Sequence, residues 1–111
     1  MSSTRVSVLK GLKFITNPFS LSEAYLPVSG KVTIIELWAT WCGPCRNTMP
    51  HLRDLQAKYK NELVILGVTE EQNDAKMQKF IQSMGGPQAV GYTLCSDAEV
   101  RFIGYTYVHA K

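Results

Sequence analysis

No apolar run in this chain of 111 residues approaches the roughly 20 that a membrane-spanning helix needs. Cysteine is scarce and odd in number: three residues, too few for a disulfide-stapled mini-protein. Acidic residues are missing altogether before Glu23, where Arg5, Lys10 and Lys13 stand without a carboxylate neighbour. The net charge of +3 comes entirely from that stretch, because the remaining nine basic residues meet nine acidic ones. A balanced body offers no basic face of the kind a nucleic-acid groove requires, so nucleic acid is not an expected partner. Hydrophobic residues make up 45% and charged residues 19%, which excludes a disordered chain. The length allows one domain. What remains is a small globular domain whose cysteines serve chemistry rather than scaffolding.

The first residues carry little information. A secretory signal needs an unbroken apolar stretch after its basic start. Ser7, Lys10, Gly11 and Lys13 interrupt every candidate here, so the compartment stays open. The basic, acid-free composition is also that of a transit peptide. The competing reading is an edge strand at Ser7–Leu12 or a leading arm, the stretch 1–16 preceding a domain over 17–111. Asn17-Pro18 is a turn signal. Ser20 to Glu23 reads as a capping box, so a short helix is expected from Leu21 to Leu26, stopping before Pro27.

Residues 31–39 are rich in β-branched and aromatic side chains and lack clean alternation, as in a parallel strand buried on both faces. Met49, Leu52, Leu55 and Tyr59 then recur at helical spacing, predicting an amphipathic helix over 46–60 with Pro50 inside it. Leu63–Thr69 reads as a second buried strand. Asn73 or Asp74 caps a helix running to Met84, which Gly85-Gly86-Pro87 ends. Tyr92–Cys95 reads as a short strand, and Ser96 or Asp97 caps a last helix to Tyr105. Strand, helix, strand, helix with short connections is a right-handed βαβ unit on a parallel sheet.

Cys42 and Cys45 fall where the first strand ends and the helix begins. A helix amino terminus carries partial positive charge and unpaired N–H groups, which favour a thiolate. Cys42, at the tip, is the sulfur so favoured, while Cys45, one turn in, faces the body. The spacing lets the two sulfurs close a small disulfide ring. Pro44 suits the first turn, where its missing donor has no helical partner anyway. The competing reading of Cys-x-x-Cys is half of a zinc site. Tetrahedral zinc needs four ligands, and Cys95, His51 and His109 are the only other sulfur or imidazole candidates. His51 sits about 13 Å along the helix from Cys42.

The run Trp38-Ala39-Thr40-Trp41-Cys42-Gly43-Pro44-Cys45-Arg46, with Met49-Pro50, resembles the active-site segment of the thioredoxin superfamily. It is most similar to the TlpA/ResA-like and cytochrome c maturation branch, over about residues 17–108. The resemblance implies a thioredoxin-like three-layer α/β/α fold and thiol-disulfide oxidoreductase activity. Cys42 would be the attacking thiolate and Cys45 the resolving thiol. Gly-Pro is the dipeptide of thioredoxin, whose potential is about −270 mV, so a disulfide reductase is expected rather than an oxidant. Glu36 stands at the position where thioredoxins hold a buried carboxylate that takes the proton of the resolving cysteine, and burial raises such a group towards neutrality. Its competing fate is an ion pair or solvent at a sheet edge. Trp41, Gly43 and Pro44 would form the substrate-docking surface, with Trp38 in the core. Arg46 adds positive potential near Cys42 or lies on a solvated face. Cys95 is expected to be a buried free thiol.

The family presents a cis-proline opposite the two cysteines, then a hairpin and a final helix. The chain ends at Lys111 about where that proline is expected, so the expectation is a domain lacking the hairpin and final helix. The strand at 31–39 would then be an open apolar edge that invites pairing with a second chain. The implied partners are disulfide-containing protein substrates and an upstream reductant, with no cofactor and no metal. The alternatives are a redox-inactive binding module that docks through Trp41, and a cysteine-based metal site. A peroxidase is disfavoured by the cysteine context.

Overall fold

The computed structural model describes residues 11–23 and 26–97. The segment 7–10, the helix expected up to Tyr105 and His109 lie outside them. Strand β1 spans Lys13–Thr16, β2 Val32–Leu37 and β3 Leu63–Thr69, with β4 at Thr93–Ser96. Helix α1 spans Gly43–Lys58, α2 Ala75–Ser83, and a single turn, α3, Pro87–Val90. The sheet order is β1-β4-β3-β2. β2, β3 and β4 are parallel, and β1 runs antiparallel to β4. Among the described residues no helix is long and apolar enough to cross a membrane.

β3 is buried on both faces, as its unbroken Leu-Val-Ile-Leu-Gly-Val-Thr run implies, and so is the shorter β4. Leu63 and Ile65 face α1 and α2, where they join Met49, Met77, Ile81, Tyr92 and Leu94. Val64, Leu66 and Val68 face the other way, against Leu12, Leu26 and Cys95. The helices described therefore cover one face, and Leu12, Phe14, Leu21, Leu26 and Val28 cover the other. The helix expected to complete the third layer falls on residues outside the description.

β2 departs from the expectation of burial on both faces. It pairs with β3 alone among the described strands, and Val32 and Leu37 are 66% and 50% exposed. Among the described residues no strand lies on its outer side. The described edge strand is Lys13–Thr16; of the segment expected at Ser7–Leu12 only Gly11 and Leu12 are described, and Leu12 packs into the core beside Val64 and Leu66 ahead of that strand. Of the helix expected from Leu21 to Leu26, Leu21 and Ser22 are not helical, Glu23 lies in a 3-10 turn, and residues 24–25 are outside the described ones. The Asn17 side chain both accepts from the Leu21 amide and donates to the Leu21 carbonyl, closing a turn. The Glu23 carboxylate accepts the Phe14 amide of β1 rather than capping a helix.

Two side chains complete ladders that the strands leave short. β4 meets β3 only from Leu66 onward. Ahead of that point the buried Gln56 amide donates to the Leu63 carbonyl and accepts the Ile65 amide, at 2.7 and 2.8 Å. Where the β1/β4 register slips, the Thr16 hydroxyl donates to the Tyr92 carbonyl and accepts the Leu94 amide. Each buried backbone group so paired avoids a desolvation cost. Asp74 caps α2 by accepting the Met77 amide at 2.9 Å, and α2 ends at Gly85 and Gly86, both at positive φ.

Candidate active site

The site is built at the carboxyl ends of β2 and β3, where open α/β sheets place their ligands. β2 delivers Trp38 to the core, 5% exposed, and the chain then turns through Ala39 and Thr40. The Cys42 amide donates to the Ala39 carbonyl at 3.1 Å, closing that turn. Cys42 is the N-cap of α1, its backbone extended (ψ 100°), and its sulfur accepts the Cys45 amide at 3.2 Å. The cap is the place where a helix offers unpaired amides to an electron-rich atom.

Cys42 and Cys45 are joined in a disulfide, with sulfurs 2.08 Å and Cα atoms 5.3 Å apart. Cys45 packs against the core cluster around Trp38 and Met49. Gly43 and Pro44 between them are exposed, and a Cβ on Gly43 would meet nothing within 4 Å. Trp41 is 82% exposed. A cleft of about 490 Å³ opens over the disulfide. Trp41, Leu37 and Val68 supply apolar wall, and Glu70 and Glu71 supply the charged side.

Glu36 lies on the helix-covered face of β2, two residues before Trp38. Its carboxylate is half-buried and accepts the Tyr92 hydroxyl at 3.4 Å. Burial pushes the Glu36 carboxyl above the ordinary carboxylate value, and the Tyr92 hydrogen bond pulls it partly back. Tyr92 stays protonated, because burial and then the Glu36 charge raise its hydroxyl well above the usual phenol range. Gly67, paired with Glu36, carries no side chain on this face. A Cβ there would meet Leu94 Cδ2 at 2.7 Å and Trp38 Cδ1 at 3.2 Å.

Arg46 is exposed, as one of its two expected fates has it, with its guanidinium 5.4 Å from the Phe80 ring centroid. Phe80 stacks in turn on Trp38 at 5.8 Å. Cys95 is a free, fully buried thiol, pushed up to about 12 by burial and then by the Glu23 charge. It lies on the opposite face of the sheet from Cys45.

Residues 7–106 match the model of the AhpC/TSA family. The chain belongs to the AhpC/TSA family. This family member is similar to the thiol-disulfide oxidoreductase ResA of Oceanobacillus iheyensis, 38% identical over 72 residues that cover 63% of this chain and 38% of that protein. It is also similar to a thioredoxin of Staphylococcus aureus, 36% identical over 53 residues, or 48% of this chain and 51% of the other. In fold it is similar to the crystal structure of StoA from Bacillus subtilis, with a TM-score of 0.60 at 20% identity, covering 73% of this chain and 60% of that one. The family member is thus a TlpA/ResA-like protein of the thioredoxin superfamily with the expected α/β fold. It spans about a third to a half of the length of the curated relatives it matches.

Sequence reasoning singled out Cys42, Cys45, Glu36 and Trp41 but missed Glu71 and Tyr92. Glu71 accepts both the Thr40 amide and the Thr40 hydroxyl, at 2.6 and 2.7 Å. Its place just past the carboxyl end of a buried parallel strand was the available signal. Tyr92 gave none, since its partner is 56 residues away.

Proposed function

We propose that this chain is a dithiol-disulfide oxidoreductase that reduces disulfides in protein substrates. The observation that carries the reading is the Cys42–Cys45 disulfide at the amino terminus of α1, with the Cys42 sulfur on the Cys45 amide and a cleft above it. In the reduced protein, Cys42 loses its proton and its thiolate attacks one sulfur of the substrate disulfide. A mixed disulfide forms and the first substrate thiol leaves. Cys45 gives up its proton, and Glu36 is the proposed acceptor. The Cys45 thiolate then attacks the Cys42 sulfur, the second substrate thiol leaves, and the Cys42–Cys45 bond closes. Two electrons and two protons pass to the substrate. An external dithiol donor returns the protein to its reduced form.

Trp41, Gly43 and Pro44 form the docking surface in this reading. Their exposure beside the sulfurs supports it, as does the name of the ResA relative. The test is insulin-disulfide reduction. Cys42→Ser should abolish it, and Cys45→Ser should stop at a mixed disulfide that mass spectrometry finds on Cys42. Full activity in Cys42→Ser, or an adduct on Cys95 alone, would overturn the reading.

A further inference from the structure

We infer that Glu71 is a positioning residue, its carboxylate clamping Thr40 so that the turn carrying the Cys42 sulfur is fixed against the ends of β3 and β4. The inference rests on the reading of Cys42 as the attacking sulfur.

The backbone between β2 and α1 leaves the sheet early. The Trp38 amide on the Val68 carbonyl, at 3.1 Å, is the last backbone hydrogen bond that ties this segment to β3 among the described residues. Four residues later the chain must present a sulfur at the helix tip. The turn closes on itself through the Cys42 amide and the Ala39 carbonyl, but such a turn moves as a unit unless something outside it takes hold. Glu71 does so from across the cleft. One carboxylate oxygen takes the Thr40 amide and the other takes the Thr40 hydroxyl. Hydrogen bonds to an ionised acceptor are among the stronger kinds, and two in parallel fix orientation as well as distance.

Glu71 is itself anchored. Its amide donates to the Thr69 hydroxyl at 3.2 Å, and that hydroxyl donates to the carboxylate at 3.4 Å. Its carbonyl accepts the Ser96 hydroxyl. Thr69 and Ser96 are the final residues of β3 and β4. The clamp thus ties the nucleophile's turn to two adjacent strand ends.

Charge alone gives no reason for this placement. A carboxylate beside a sulfur that must become an anion opposes that ionisation. Among the described residues, the charged groups bordering the sulfurs are Glu70 and Glu71 on the β3 side and Arg46 on α1, its guanidinium over Phe80. The charge of Glu71 and its clamp therefore act in opposite directions on the Cys42 thiolate, and two substitutions separate them. Glu71→Gln removes the charge and keeps the clamp, because the amide oxygen still accepts the Thr40 amide and the NH₂ donates to the hydroxyl oxygen. Glu71→Ala removes both. Thr40→Val removes half the clamp and keeps the charge, and Thr40→Ser restores the hydroxyl.

The experiment equilibrates the full chain with glutathione, in which two protein thiols and one glutathione disulfide give the Cys42–Cys45 bond and two glutathione thiols. It also follows the pH dependence of Cys42 alkylation in the reduced protein. In Glu71→Ala and Thr40→Val the ring-closing constant should fall by about tenfold, as misplaced reacting groups lose effective concentration. In Glu71→Gln and Thr40→Ser it should stay within about threefold of the wild type. The alkylation midpoint should move down in Glu71→Gln, and lie higher in Glu71→Ala than in Glu71→Gln. Equal constants and midpoints in Glu71→Ala and Glu71→Gln would reduce Glu71 to a charge and overturn the clamp. If Glu71→Ala does not fold by circular dichroism, the Thr40 pair decides: Thr40→Val indistinguishable from wild type overturns the inference. The glutathione equilibrium needs no protein substrate. A wild type that closes its ring yet leaves insulin intact removes the functional reading and not the clamp, and four variants that all match wild type remove the clamp and not the function.

Discussion

Tyr92 reaches Glu36 across strand β3, hydroxyl to carboxylate at 3.4 Å, with side-chainless Gly67 as the intervening residue on that face. The pair links the segment before β4 to the strand that leads into the active site. It also fixes how Glu36 responds to pH. Burial raises the folded-state pKa of Glu36. A raised carboxyl contributes its full share of stability below the ordinary glutamate value of about 4.3 and loses it as pH rises through the folded value. Glu36→Gln should therefore resist urea better than wild type at about pH 7.5 and equal it at about pH 4. Tyr92→Phe should raise the Glu36 midpoint further, because it removes the hydrogen bond that pulls it down, at a stability cost of no more than about 1 kcal/mol. Carbon-13 titration of the Glu36 carboxyl reads both, and a midpoint unmoved by Tyr92→Phe would show that the hydrogen bond carries no energy.

Gly67 tests the packing under Trp38. A methyl group there would press on Leu94 Cδ2 and the Trp38 ring. Gly67→Ala should destabilise by about 1–3 kcal/mol in urea unfolding. A neutral or stabilising result would mean that Leu94 and Trp38 have room to step aside.

Gln56 is a polar residue whose burial, at 3% exposed, is explained by its two bonds to β3. Gln56→Ala should cost about 2–4 kcal/mol, since it strands one buried donor and one buried acceptor. Amide exchange at Ile65 should rise with it, which separates loss of this bond from a general loss of stability.

Trp41 touches the outcome differently, because it is almost wholly exposed. Trp41→Ala should change stability by less than about 0.5 kcal/mol. Its KM for a protein disulfide should rise roughly fivefold, as when an aromatic anchor is removed from a binding interface. Equal KM values would place docking elsewhere.

Much of this was legible in the sequence because it is local. Leu63–Thr69 has the bounds its apolar run predicts, Asp74 caps the helix it precedes, and Gly85-Gly86 end it. The cysteine pair stands at a strand-to-helix junction, as its neighbours imply. What was not legible depends on partners far along the chain. The exposure of β2 goes with its place at the end of the described sheet, beside β3 alone, which its own composition does not record. Glu23 matches a capping box by spacing, yet the free amide of Phe14 claims its carboxylate. Glu71 looks like one of two adjacent surface acids until Thr40, 31 residues earlier, is brought against it.

Reduction of disulfides by this chain requires that the tip of α1 hold the Cys42 sulfur as an anion. The measurement that reads it most directly is the pH dependence of Cys42 alkylation in the reduced protein, with the same chain in urea as its own control. Cys95 is buried and pushed up to about 12 in the folded protein, and Cys95→Ser removes it from the reagent in urea. The folded-state midpoint should lie clearly below that of the unfolded chain. Coincident midpoints would contradict it.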